Sequence, residues 1–252
     1  MDRFGLIGHP IDHSLSPELF RLAYGGKYAY DLIGGADFEA SWKRFLDGYK
    51  AINITTPFKE AAFAKVSAFE AEGRGFVSDE CRKTGATNLC VKTSRGVECY
   101  NSDYRGVKAM LAERGYGQGS SVLVVGCGGA GMAAAAAAGD LGADTVVCNR
   151  SASKYPGARP LEELPLLASV CDIVIYTLPV AVPQLAEMRD PGFGCAMCSP
   201  VILEANYRNP CLEGAFTGYI GGREWLLAQA VTGYRLMTGE DPDSEAMKSA
   251  FI

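Results

Sequence analysis

The chain has little of what would mark it as a metal protein, a disulfide scaffold, a nucleic-acid binder or a membrane protein. It carries only two histidines, His9 and His13, both near the N-terminus. Its nine cysteines are an odd number, and only Cys195-Ala196-Met197-Cys198 forms a close pair. No second pair stands at zinc-knuckle spacing. Cys81, Cys90, Cys99, Cys127, Cys148, Cys171 and Cys211 are scattered through apparent strands and turns, which suits buried reduced thiols, with a metal or redox site as the alternative. Lys and Arg number 24 against 29 Asp and Glu, a net charge of -5, so there is no basic footprint for nucleic acid. No run of about 18 apolar residues is present, and no membrane span is expected. The opening Met1-Asp2-Arg3-Phe4-Gly5-Leu6-Ile7-Gly8 is too short and polar for a signal peptide and reads as a first strand, so a cytoplasmic address is expected.

What is present is enough apolar residue, 48% of 252, to bury one large core or two modest ones. Residues 4–8, 28–32 and 51–55 read as strands, and 17–24, 38–48 and 57–66 as helices. Two short strands, 86–92 and 96–101, flank the turn Thr93-Ser94-Arg95-Gly96. Such βαβα alternation predicts an α/β fold with a mostly parallel sheet. A second unit follows: a buried strand at 121–126, an alanine-rich helix at 131–141, and strands at 145–148 and 172–177. Helices near 225–238 and 244–251 are expected to return to the first unit. The expected domains are 1–103 completed by about 236–252, and a Rossmann-like unit at 104–235.

The glycine turn Gly126-Cys127-Gly128-Gly129-Ala130-Gly131 lies between an apolar strand and a helix, with a further strand at the right distance. Gly126 allows the tight turn, Gly128 lets a pyrophosphate approach the backbone, and Gly131 permits close helix–strand packing. The helix start, at Gly129 and Ala130, offers N–H groups and a positive dipole end. An NAD site usually places an acid about 20 residues further on. Here stand Asn149-Arg150-Ser151, with Lys154 beyond, and an arginine can clamp a 2′-phosphate. NADP is therefore favoured over the alternative of a solvated basic loop.

Upstream lie Asn53-Ile54-Thr55-Thr56-Pro57-Phe58-Lys59-Glu60 and Tyr100-Asn101-Ser102-Asp103. If Thr56 caps a helix and Pro57 opens it, Lys59 sits in the first turn, where the dipole disfavours a cation. Such a lysine could exchange a proton with an alcohol oxygen, although most lysines are surface residues. An ionisable pair upstream of a dinucleotide cradle is what a hydride-transferring enzyme needs. In Ser14-Leu15-Ser16-Pro17, Ser16 can cap a helix that Pro17 opens, or the two hydroxyls can hold a carboxylate at the helix start.

These segments together resemble the shikimate dehydrogenases and their quinate-using relatives over nearly the full length. Gly8-His9-Pro10 through Pro17 is similar to the family's N-terminal signature, and the segment ending in Lys59 to its lysine motif. Gly85-Ala86-Thr87-Asn88, Asn101-Ser102-Asp103, the glycine turn, Asn149-Arg150-Ser151, Glu204–Tyr207 with Pro210, and the stretch from Gly222 to Gln229 follow in the same order. The resemblance implies NADPH-dependent, reversible reduction of 3-dehydroshikimate to shikimate, on the route to chorismate and the aromatic amino acids. It implies that Ser14 and Ser16, with help from Tyr207, bind the substrate carboxylate. Thr55, Asn88, Asp103 and Gln229 would hold hydroxyls, Lys59 and Asp103 would handle the proton, and the Gly222 backbone would face the nicotinamide. Two domains with a cleft holding both substrates are implied, in a monomer or homodimer without metal.

The chain also departs from the family pattern. Tyr104 follows Asp103 where glycine is usual, and Ile175-Tyr176-Thr177-Leu178-Pro179 replaces an Asn-(Ala or Thr)-Thr segment that lines the cofactor pocket. Glu204 stands for a commoner aspartate, an extra residue separates Tyr207 from Pro210, and Trp225 takes the place of a methionine near the nicotinamide. These changes leave two alternatives open: relaxed use of quinate or of the cofactor, or a catalytically weak NADP-binding relative.

Overall fold

The computed structural model describes residues 2–151, 155–188 and 200–251. Lys154 and the Cys195–Cys198 pair lie outside the described residues. The chain divides into two compact units, Met1–Ser102 with Gln229–Ile252, and Asp103–Ala228. The first unit thus resumes at Gln229, seven residues before the expected 236.

The first unit holds a six-stranded sheet of β1 (Arg3–Gly8), β2 (Ala29–Gly34), β3 (Ala51–Ile54), β4 (Gly75–Val77), β5 (Leu89–Thr93) and β6 (Gly96–Tyr100), in the order β2-β1-β3-β5-β6-β4. The β1–β2, β1–β3 and β4–β6 pairs are parallel; β5 runs antiparallel to both neighbours. That reversal comes from the tight β5–β6 hairpin, in which Thr93 pairs with Gly96. Helices α1 (Ser16–Ala23), α2 (Phe38–Gly48), α3 (Lys59–Ala71) and α4 (Asp79–Thr84) complete it. In α2, Asp37 caps Ala40 N–H, and Trp42 and Phe45 turn inward. Phe4 and Phe20 are fully buried and anchor an aromatic cluster with Tyr28, Tyr30 and Tyr234. Each such ring is worth about 1.5–3 kcal/mol on burial.

Two helix starts differ from the sequence reading. Helix α1 begins at Ser16, one residue before Pro17, and Leu15 precedes it without a side-chain cap. Ser14 Oγ, rather than Ser16 Oγ, accepts a helix-start N–H, that of Ser16, at 3.2 Å. Helix α3 begins at Lys59, not Pro57, because Phe58 N–H closes a turn on Thr55 O at 3.0 Å. Thr56 is therefore no cap, and Lys59 is the first helical residue.

The second unit carries a five-stranded parallel sheet: β7 (Ser121–Val125), β8 (Asp144–Cys148), β9 (Ile173–Tyr176), β10 (Val201–Glu204) and β11 (Tyr219–Ile220), ordered β11-β10-β9-β7-β8. Helix α5 (Ser102–Glu113) leads into it, and α6 (Gly129–Asp140), α7 (Leu164–Ala168) and α8 (Leu185–Met188) alternate with the strands. The strand order runs outward in both directions from β7. In open α/β sheets that reversal is where ligands bind, beyond the carboxyl ends of the strands. Ala133, Ala134, Ala135, Ala137 and Ala138 of α6 are all buried, the close packing that their missing bulk allows. The unit boundary falls inside α9 (Gly222–Thr238); α10 (Ser244–Lys248) follows, where Asp243 N–H bonds to Ala23 O at 2.9 Å.

Candidate active site

In the second unit, the turn after β7 is built almost wholly from backbone. Gly126 has φ +109°, and a Cβ there would lie 2.5 Å from Thr177 Oγ1. A Cβ on Gly131 would lie 1.9 Å from Gly126 O, so helix and strand meet only because both residues are glycine. Gly128 is different: a Cβ there meets nothing within 4 Å. Its exposed face opens onto the first turn of α6, where the N–H groups of Gly129, Ala130 and Gly131 are not used by the helix ladder. A cradle crowded from below and open above fits a pyrophosphate.

At the end of β8, Asn149 is buried and its Nδ2 donates to Ser151 O at 3.1 Å, bracing the segment between them. Arg150 and Ser151 are exposed. An arginine on a braced strand end suits an added 2′-phosphate better than a bare ribose hydroxyl.

Beyond β10 the chain forms a cavity of about 500 Å³ bordered by Asn206, Tyr207, Arg208, Tyr219, Gly222 and Arg223. Glu204, fully buried at the strand end, accepts from Cys211 N (2.7 Å), Leu212 N (3.1 Å) and Tyr219 OH (2.8 Å). Its carboxylate closes the loop that presents Tyr207. Burial pushes the Tyr207 phenol above its ordinary value, with Arg208 opposing. Gly222 is required sterically, since a Cβ there would lie 2.6 Å from Ala205 O.

In the first unit the side chains do the work. Asn88 Oδ1 accepts Ser102 N–H at 2.6 Å, and Asn88 Nδ2 donates to Ser102 Oγ at 3.0 Å. Ser102 Oγ donates to Gln229 Oε1 at 2.9 Å, which leaves Gln229 Nε2 as the end able to donate to a ligand. Three chain segments thus converge on one hydroxyl. Thr87 N–H bonds to Lys59 O at 3.1 Å and ties the start of α3 to the same strand entry. Ser14 and Ser16 meet separately, with Oγ atoms 3.1 Å apart. Thr55 and Lys59 are half-buried. Lys59 belongs to the first unit, and Asp103 opens the second. Asp103 lies in the first turn of α5, where the helix dipole favours an acid.

Ser102 and Asn53 carry no assigned role in the sequence reading, and both join this network. Ser102 could have been found as the hydroxyl that opens a helix between Asn101 and Asp103; Asn53 carries no comparable signal. Among the described residues, no group of three or more His, Cys, Asp or Glu side chains could hold a metal ion. Among the described residues no two cysteines form a disulfide, and six of the seven are buried.

Known proteins resemble this chain over nearly its whole length. The model of the shikimate dehydrogenase substrate binding domain matches residues 6–89. The NADP(+) shikimate dehydrogenase of Archaeoglobus fulgidus is 31% identical, covering 98% of this chain and 97% of the relative. That of Xanthomonas campestris is 36% identical over 99% and 95%. The chain belongs to the shikimate dehydrogenase family. A crystal structure of shikimate 5-dehydrogenase from Thermus thermophilus in complex with NADP(H) and shikimate is 26% identical, with a TM-score of 0.77, over 100% of this chain and 98% of that one.

Against the family pattern, the departures acquire physical reasons. Tyr104 is buried, and its hydroxyl bonds to Asp140 Oδ2 at 2.5 Å, joining α5 to the end of α6. Tyr176 is buried and its hydroxyl donates to Val180 O at 2.7 Å; Thr177 Oγ1 donates to Val125 O at 2.8 Å, beneath the glycine turn. Trp225 does not line an open face. It is 4% exposed in the core of the second unit, and its indole N–H donates to Asp103 O at 3.2 Å.

Proposed function

We propose that this chain catalyses the reversible, NADP-dependent interconversion of 3-dehydroshikimate and shikimate. The observation that carries the reading is the clasp of Asn88 and Gln229 around Ser102, two amides oriented by one hydroxyl, as a ring bearing several hydroxyls requires. Full-length similarity to NADP(+) shikimate dehydrogenases supports it.

In this reading the first unit supplies most of the substrate-binding side chains and the second supplies the cofactor-binding backbone. Ser14 and Ser16, with Tyr207, hold the carboxylate; Thr55, Asn88, Asp103 and Gln229 hold hydroxyls. The backbone at Gly126, Gly128, Gly129, Ala130 and Gly131 receives the pyrophosphate, Asn149, Arg150 and Ser151 the 2′-phosphate, and Gly222 the nicotinamide. Bound NADPH supplies a hydride to the carbonyl carbon. Lys59 Nζ gives a proton to the oxygen that becomes the alcohol, and Asp103 accepts a hydrogen bond from a substrate hydroxyl. In the oxidative direction Lys59 takes the proton back as the hydride leaves the alcohol carbon.

The test is NADPH oxidation with 3-dehydroshikimate, followed by nicotinamide absorbance, beside NADP reduction by shikimate and by quinate. Turnover favouring shikimate with NADP supports the reading. Turnover mainly with quinate or NAD keeps the chemistry and moves the specificity. NADPH binding without turnover removes the assignment.

A further inference from the structure

We propose that Tyr30 is a positioning residue for the substrate site, acting through the side-chain amide of Asn53; this rests on the shikimate dehydrogenase reading above. Tyr30 lies on β2, and its ring borders a cavity of about 410 Å³ that Ser14, Pro17, Tyr28 and Arg21 also line. The ring is held by packing, with its centroid 4.8 Å from Phe20 and 6.3 Å from Tyr234. The position of its hydroxyl is therefore set by the aromatic cluster.

That hydroxyl donates to Asn53 Oδ1 at 2.8 Å. The other end of the amide, Nδ2, faces Asn88 O at 3.4 Å. A carbonyl can only accept, so Nδ2 has to lie on that side, and Oδ1 then needs a donor. Tyr30 is that donor. Burial, and then the neighbouring Tyr234, push its phenol well above its ordinary value against a hydrogen bond with Ser16, so the proton is retained. Gly233 lies beside both side chains: a Cβ there would stand 3.2 Å from Ser102 Cβ and 3.9 Å from Asn53 Nδ2. Asn53 thus touches Asn88, whose own side chain is clasped by Ser102 and through it linked to Gln229. A phenylalanine would fill the same wall, but only the hydroxyl fixes the amide.

The experiment is a double-mutant cycle on the full chain: Tyr30→Phe, Asn53→Ala and the pair, with steady-state kinetics for shikimate and for NADP. Tyr30→Phe should raise KM for shikimate by ~3- to 10-fold, the cost of one unmet buried polar group, with kcat and KM for NADP within about 2-fold. In the Asn53→Ala background the same substitution should add nothing, because its effect passes through the amide. Additive effects, an unmoved KM for shikimate, or a parallel rise in both KM values with a lower Tm would each overturn the proposal. If the unaltered chain gives no shikimate-dependent NADP reduction, the underlying reading fails as well. Normal turnover with an unmoved KM in Tyr30→Phe removes this proposal alone.

Discussion

The two candidate sites are built by opposite means. The second unit presents backbone: three glycines, a helix start and one braced strand end carry the candidate cofactor site. The first presents side chains, with amides and hydroxyls from segments around residues 14, 30, 53, 88, 102 and 229. Phosphate is bound well by any ring of N–H groups, so a turn of the right shape suffices. A ring with several hydroxyls needs donors and acceptors in defined places, and only oriented side chains supply those. One site is therefore sensitive to added bulk, the other to the loss of a single polar atom.

The largest test of this contrast is Lys59→Ala. Removing the proton carrier should lower kcat for NADPH oxidation with 3-dehydroshikimate by ~10²- to 10⁴-fold, while NADPH binding by fluorescence titration stays near that of the unaltered chain. An unchanged kcat would break the proposed mechanism.

Next comes Arg150→Ala. Two charge-assisted bonds to a 2′-phosphate are worth about 1.5–3 kcal/mol, so NADPH should bind ~10- to 100-fold more weakly and NADH about as before. Equal losses for both nucleotides would remove Arg150 from that role.

The glycines sharpen the comparison within one turn. Gly131→Ala forces a Cβ to within 1.9 Å of Gly126 O and should cost at least ~2 kcal/mol in urea unfolding. Gly128→Ala meets nothing in the protein. As the N-cap of α6 it should lose no more than about 1 kcal/mol in unfolding, and NADPH should bind about 5- to 10-fold more weakly. Equal effects on stability would mean that Gly128 is structural too.

The last test lies in the first unit, away from either site. Burial works against the charge on Glu98, but bonds from Tyr100, Thr93 and Arg95 outweigh it and hold the carboxyl below its ordinary value of 4.5. A carboxylate depressed in the folded state stabilises it fully above the ordinary value, and that contribution is lost as pH falls through the depressed one. Glu98→Gln should therefore cost about 1–2 kcal/mol near neutral pH, with the difference shrinking in acid. A constant difference down to low pH would assign the loss to packing.

What could be read from the sequence follows the same division. The glycine turn was legible with its reasons, because a positive φ at Gly126 and the contact of Gly131 with Gly126 are local properties. The strand–helix alternation was legible too, since burial imposes its period on each segment. One expected helix start, Pro57, lies two residues early and another, Pro17, one residue late with Ser16 as the wrong cap, because a preceding turn can take the polar groups that a cap would. Strand β4, three residues long, is too short to show a period. The local sequence can place the Ser102 hydroxyl at a helix start, but its partners at residues 88 and 229 are far from it in the chain. Trp225 looked like a change at the cofactor face because its spacing says nothing of which way the indole turns.

The discontinuity of the first unit has a consequence for synthesis. Residues 103–228 form a single uninterrupted segment, whereas the first unit also needs residues 229–252, including the Tyr234 ring that packs on Phe20 at 4.8 Å. On the ribosome, the second unit has its whole complement of residues while the first still lacks its last helices. The part of the molecule begun first is the part finished last, and a nascent chain released early would carry a complete dinucleotide-binding unit beside an aromatic core missing one of its rings.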